Sequence, residues 1–369
     1  MIYYLFEYIN DVLNPPGFDV FRFITFRAAA AAITALLISW FVGPRIIAAL
    51  KRRQIGETAK IEAPETHLVK AGTPTMGGLI VLTSIVVPVL LWGQLQNTYV
   101  WLILLATLML GAVGFVDDYL KVVRKFPKGL IGEYKIVGQI IVGLIVGGVL
   151  YFSPQFQDYN SVTTVPFFKN LLLDFSFFYI PMIIFVIVAT SNAVNLTDGL
   201  DGLAIGTISI AFIAIAFISY AGGRVDFSNY LNIIYLPGSG ELTVFSAAVL
   251  GAGLGFLWYN AYPAQVFMGD TGSLALGGAM GVLMVMIKKE LLLPILGGIF
   301  FAETVSVLIQ KAYFKYTKRK YGQGKRVFRM APVHHHFELL GWPEPKIVSR
   351  FYIVAIILAI LSLATFKVR

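Results

Sequence analysis

Residues Ser191-Asn-Ala-Val-Asn-Leu-Thr-Asp-Gly-Leu-Asp-Gly202 form a polar patch between two apolar runs, each long enough to cross a bilayer. Asn192, Asn195, Asp198 and Asp201 recur at every third position, so on a continuing helix they would stay near one face. Gly199 and Gly202 would let another backbone or a ligand approach closely. The plainer reading is that Asp198 or Asp201 caps the next helix, which starts near Leu203. Capping accounts for one Asp, not for two Asp and two Asn. Ionisable groups at membrane depth are costly and usually face a cavity, so the patch is read as one wall of a polar site. Its spacing does not fit a calcium loop.

The rest of the chain sets the class. At 369 residues, 57% hydrophobic, 13% charged and with a mean hydropathy of +0.77, it lies outside the soluble globular range and reads as an all-α polytopic membrane protein. Apolar segments of about 20 residues without polar alternation suit helices rather than barrel strands. The absence of cysteine excludes disulfides and cysteine metal sites. Residues 1–20 carry no Lys or Arg, so they lack the positive start of a cleavable signal peptide. Their Asn14-Pro15-Pro16-Gly17 turn marks a short interfacial piece. No low-complexity tract, repeat or long linker divides the chain, and 1–369 is read as one domain.

About ten transmembrane helices are expected, centred near Ala35, Val86, Leu105, Val142, Ile184, Ile213, Val249, Met280, Ile299 and Ile357. The ninth carries Pro294 and Glu303 and is expected to bend. Of the 29 Lys and Arg, 21 fall on one side, at Arg45 and in the loops 51–73, 118–135 and 311–350. The positive-inside rule makes that side cytoplasmic and both termini extracytoplasmic. The net charge of +9 follows this topology and points to membrane lipids, not nucleic acid.

This orientation brings four distant clusters to the cytoplasmic face. Asp117 and Asp118 end the third span, where they repel each other and oppose the negative helix terminus. Lys121, Arg124 and Lys125 on the next turn would make an ordinary ion-pair ladder, or the acids would serve a metal or phosphate. Phe267-Met-Gly-Asp-Thr-Gly-Ser273 sets Asp270 between glycines beside hydroxyls: an N-cap, or chemistry suited to Mg2+ carrying a diphosphate. Gly277, Gly278 and Gly281 behind it allow close helix packing. In Pro332-Val-His-His-His-Phe-Glu338, His334, His335 and His336 point in different directions, and His67 is the only other histidine, which disfavours zinc. Phosphate contact, acid–base work or a solvated turn remain for them. Residues 70–78, with Lys70 and Thr75, resemble a phosphate-contacting loop without P-loop spacing. Glu303, deeper in the ninth span, is either bound to a partner or functional.

In order and topology, residues 70–78, 114–118, 192–202, 260–272 and 331–338 resemble the motifs of the phospho-N-acetylmuramoyl-pentapeptide-transferase (MraY) family of bacterial peptidoglycan synthesis. The histidine motif separates that family from the wider polyprenyl-phosphate sugar-1-phosphate transferase superfamily. The resemblance implies ten transmembrane helices, a homodimer in the bacterial cytoplasmic (inner) membrane, an active-site cleft facing the cytoplasm, and Mg2+. The implied reaction moves phospho-MurNAc-pentapeptide from UDP-MurNAc-pentapeptide onto undecaprenyl phosphate, giving lipid I and UMP. On this resemblance Asp270 is the Mg2+ ligand, and Asp117, Asp118, Asp270 and His335 are catalytic. Asn195, Asp198, Asp201, Asn260 and Phe267 fall at nucleoside positions, with Phe267 stacked on uracil. Lys70, Thr75, Lys121, Lys125, His334 and His336 line the same cleft.

Phosphoryl transfer asks mainly for positioning and charge neutralisation, which suits such a set. Two routes stay open: Asp117 deprotonating or orienting the lipid phosphate for direct attack, or a covalent phospho-sugar on an Asp. The alternatives are a sister transferase using another UDP-HexNAc and, in another class, a proton-coupled transporter. Transporter sites sit near the midplane between broken helices, whereas these acids lie at span ends.

Overall fold

The computed structural model describes residues 1–13, 15–53, 70, 72–126, 128–168 and 171–366. Asn14, His67 and most of the loop 51–73 lie outside the described residues. All ten expected spans are helical: α2 (Ile24–Arg52), α3 (Gly78–Trp92), α4 (Thr98–Val122), α5 (Gly132–Phe152), α6 (Tyr179–Thr197), α7 (Leu203–Gly222), α9 (Leu242–Asn260), α10 (Gly269–Met286), the pair α11 (Leu293–Leu296) and α12 (Gly298–Tyr321), and α14 (Glu344–Ala364). Eight are long and apolar enough to cross a membrane. The segment leading into α11 and α12 makes a ninth, bent by 83°, while α3, at 15 residues, is shorter. The expected bend is therefore present, and it falls at Gly297, just past Pro294.

Three short helices complete the set. The 12 residues of α1 (Ile2–Leu13) are too few to span a bilayer. The other two are α8 (Val225–Leu231) and α13 (Val333–Glu338), the latter holding the three histidines. One departure from an all-helical chain is the antiparallel pair β1 (Val162–Thr164) and β2 (Leu172–Asp174), in register Val162 to Asp174.

The core is built around α10. Every residue from Thr271 to Met286 is buried, as expected of a helix apolar on all sides. It packs on α4 and α6, α7 packs on α9, and α9 on α2. Gly277 and Gly281 lie against α6 and Gly278 against Leu110 of α4, the close packing their spacing implies. At one end of this bundle α4, α6 and α9 finish while α10 and α14 begin. That convergence gathers the polar clusters. At the other end Arg27 and Glu241 make a buried, two-pronged ion pair, Nη1–Oε2 2.7 Å and Nη2–Oε1 2.5 Å.

Candidate active site

Three carboxylates meet where α4 ends and α10 begins. Asp117, Asp118 and Asp270 each offer an oxygen, and these oxygens lie within 4.8 Å of one another. The approach depends on Gly114, because a Cβ there would stand 2.1 Å from the Asp270 carbonyl oxygen. Asp117 is fully buried; its Oδ1 accepts the Leu130 N–H at 2.7 Å, and its Oδ2 faces the ammonium groups of Lys121 and, at 2.9 Å, Lys135. The same two lysines reach Asp270 Oδ2, Lys135 at 2.6 Å and Lys121 at 3.2 Å. Asp270 Oδ1 accepts from Asn195 Nδ2 at 2.9 Å, and Asn195 also reaches Ser273 Oγ at 2.8 Å. Thr75 Oγ1 sits beside Gly269, held there as Phe267 N–H donates to Pro74 O and Gly77 N–H to Phe267 O, both at 2.8 Å.

Asp118 differs from its neighbours. Its oxygens accept the backbone N–H groups of Asp270 (3.1 Å) and Thr271 (2.9 Å) and the Thr271 hydroxyl (2.6 Å). It therefore caps α10 from another helix and satisfies amides that a helix start leaves unpaired. Asp270 itself does not cap α10, which has no side-chain cap from its own chain segment, so of the two readings of this residue the N-cap falls away. Asp117 and Asp270 keep oxygens turned toward the lysines. An all-oxygen donor set with three acids against two ammonium groups fits a hard divalent cation.

A second group lies at the α6–α7 turn. The helix stops at Thr197, with Asp198 as its C-cap at φ −78° and ψ 55°, so the four polar residues do not share one helical face. Asn192 bonds Gln139 Oε1 at 2.9 Å and Val188 O, away from the acids. Asn195 belongs to the acid cluster, Asp198 to the helix end, and Asp201 to a separate network. Asp201 caps no helix: it accepts from Lys70 Nζ at 2.7 Å and from Ala264 N–H at 2.9 Å. Glu344 Oε1 accepts the same ammonium at 2.7 Å. Burial pulls the Lys70 ammonium down, and the two carboxylates more than offset it, leaving its pKa above the ordinary lysine value. Lys70 Nζ lies 6.0 Å from the centre of the half-buried Phe267 ring. Asn260 staples the two loops, accepting from Gly202 N–H at 3.1 Å and donating to Val266 O at 2.9 Å.

The histidines point three ways, as consecutive residues must. His334 is fully buried with Nδ1 3.2 Å from Glu303 Oε2, which gives Glu303 its partner. Its Nε2 rests on Gly199, where a Cβ would stand 2.3 Å away, so this glycine lets α13 seat against the α6–α7 turn. His335 Nδ1 lies 2.6 Å from Glu338 Oε2, and His336 Nδ1 accepts the Arg329 N–H at 3.1 Å. Of the expected ladder only Lys121 pairs with Asp117. Lys125 is exposed beyond the end of α4 at φ 53° and does not join the acid cluster. Two residues that sequence reasoning did not single out are central: Lys135, one of several basic residues in its loop, and Glu344, an acid at a helix start.

Fold and site together define a membrane-embedded glycosyl transferase, and residues 100–288 match the model of glycosyl transferase family 4. Residues 70–82, the loop of Lys70 and Thr75, match signature 1 of phospho-N-acetylmuramoyl-pentapeptide-transferase. Enzymes of that name from Chloroherpeton thalassium and Pelodictyon phaeoclathratiforme are each 55% identical to the chain over 369 residues, and one from Salinibacter ruber is 52% identical over 385. All three alignments cover both proteins completely. The chain belongs to the phospho-N-acetylmuramoyl-pentapeptide-transferase family.

Proposed function

We propose that the chain transfers phospho-MurNAc-pentapeptide from UDP-MurNAc-pentapeptide to undecaprenyl phosphate, forming lipid I and releasing UMP. The observation that carries the mechanism is the acid cluster, in which Lys121 and Lys135 each touch both Asp117 and Asp270. Asp270 would hold a Mg2+, which would offset negative charge on the diphosphate as it is cleaved. Asp117 accepts or orients the proton of the lipid phosphate, whose oxygen attacks the β-phosphorus while the bond to UMP breaks. Lys121 and Lys135 bring two positive charges to the phosphates. Asp118 holds the first turn of α10, and with it Asp270, in place. Lys70, Asp198, Asp201, Asn260 and Phe267 form the nucleoside wall, Phe267 offering its face to uracil. His334, His335 and His336 close that wall, His335 being the member nearest in role to the reaction. The site is read as facing the cytoplasm from the bacterial inner membrane, in a homodimer surrounded by lipid.

The test is UMP release by purified protein with both substrates, with and without Mg2+, for wild type and Asp270→Asn. Release that needs Mg2+ and is lost in the variant is expected. Unchanged turnover in Asp270→Asn would remove the metal assignment.

A further inference from the structure

Glu344 opens α14 between Pro343 and Pro345, where an acid ordinarily does no more than favour a helix N-terminus. Here its side chain is turned inward and is only 6% exposed. A single oxygen, Oε1, accepts both Lys70 Nζ at 2.7 Å and the backbone N–H of Asp201 at 2.6 Å. Asp201 takes the same ammonium on Oδ1 and the Ala264 N–H on Oδ2. Glu344 thus joins residue 70, the α6–α7 turn and, through Asp201, the loop that carries Phe267. The following turns of α14 anchor the arrangement. Ile347 and Val348 pack with Leu200 and Leu203, and the Tyr352 hydroxyl donates to Gly202 O at 2.6 Å.

From this geometry the structure assigns Glu344 as a positioning residue for the nucleotide subsite, acting through Lys70 and Asp201 without touching substrate. The assignment rests on the UDP-linked substrate proposed above. Lys70 is held between two carboxylates, and charge-assisted hydrogen bonds are the strong ones. A glutamine at 344 keeps an acceptor for the Asp201 N–H but leaves one carboxylate to orient the ammonium.

The experiment uses full-length purified protein and the variants Glu344→Gln, Glu344→Asp, Asp201→Asn and the double variant Glu344→Gln/Asp201→Asn. KM for each substrate and kcat are measured, together with Kd for UDP by calorimetry. Glu344→Gln is expected to raise the nucleotide KM and the UDP Kd about tenfold, as loss of one charge-assisted bond implies. The lipid-phosphate KM and kcat stay within about twofold. Glu344→Asp recovers part of the UDP affinity and serves as the test variant if Glu344→Gln does not fold. The two single effects do not add, because both act through one network. A fall in kcat with unchanged nucleotide KM and UDP Kd, or fully additive effects, overturns the assignment. Wild type that binds UDP but does not turn over UDP-MurNAc-pentapeptide sinks the substrate reading alone, and the UDP affinities still decide the role of Glu344. Wild type that does not bind UDP overturns both.

Discussion

At one end of the bundle Arg27 and Glu241 neutralise each other one for one; at the other, Lys121 and Lys135 bridge Asp117 and Asp270, while a third carboxylate, Asp118, is held by the first turn of α10. The first pair is matched in charge, although the Arg27 Nε–H has no hydrogen-bond partner. Arg27 is 1% and Glu241 4% exposed, Trp92 O takes a further guanidinium N–H at 3.2 Å, Gln94 N–H donates to Glu241 at 3.2 Å, and the Tyr3 ring lies 4.6 Å from the guanidinium. The acid cluster sets three carboxylates beside two ammonium groups, and Asp117 Oδ2 is held by Lys121 and Lys135. A one-to-one pair joins helices and leaves no unmatched charge for a ligand. An open cluster of like charges is destabilising in itself, and its presence at a helix convergence points to a bound cation and anion.

The largest effect that separates the two ends is expected from Asp270→Asn. Removing the carboxylate proposed to hold the metal should lower kcat on the order of 10^4-fold, about 5 kcal/mol of transition-state stabilisation. Thermal stability without Mg2+ should hold or rise, because the variant removes one of three neighbouring carboxylates and leaves Asp117 paired with both lysines. Mg2+ should raise the melting temperature of wild type and not of the variant. A melting temperature that drops sharply in Asp270→Asn would show that the cluster is a structural clamp like its counterpart.

Arg27→Met is expected to do the reverse. Stranding the buried Glu241 carboxylate should cost about 3–5 kcal/mol of stability, while the molecules that stay folded keep a near-normal KM for both substrates. Thermal unfolding followed alongside steady-state kinetics checks this. A variant of normal stability and altered KM would mean the far end communicates with the site.

Asp118→Asn lies between these extremes, since Asp118 belongs to the cluster yet works as a cap. An amide at this position accepts through one oxygen and turns its NH2 toward donors. A loss of about 1–2 kcal/mol in stability is expected, in the range of other lost caps. Activity should fall as Asp270 shifts. Loss of activity with stability intact would instead make Asp118 a direct participant, equal to Asp117.

How much of this contrast was readable in the chain depends on whether a residue's role is local. Span positions follow from apolar length, and Asp117, Asp118 and Asp270 stand out because nothing in lipid burial explains them. The capping of α10 by Asp118 joins residues more than 150 positions apart, and no local pattern announces it. The three-residue spacing of Asn192, Asn195, Asp198 and Asp201 suggested one face, but α6 stops at Thr197 and distributes them among different partners. Lys125 stands close to the acids in sequence and Lys135 does not. The position of the start of α5, which carries Lys135, selects it. Glu344 was hidden because a helix-start acid is ordinary.

The smallest effect tests whether burial or geometry makes the Arg27 pair a clamp. Near the same end of the molecule Arg224 and Asp226 form a pair of comparable geometry, Nε–Oδ1 3.0 Å and Nη2–Oδ2 2.9 Å. Its side chains are 45% and 60% exposed. Water and salt screen such a pair, and holding both side chains in one geometry costs entropy. Arg224→Ala should therefore move the melting temperature by no more than about 1 °C, against the large loss from Arg27→Met. Each substitution removes a guanidinium held by two contacts, end-on at Arg27 and side-on at Arg224, so the contrast sets a buried pair against an exposed one. If Arg224→Ala proved as damaging as Arg27→Met, pairing geometry alone would set the energy. The excess charge at the acid cluster would then lose its force as a sign of function, because a few good contacts would be enough to hold it.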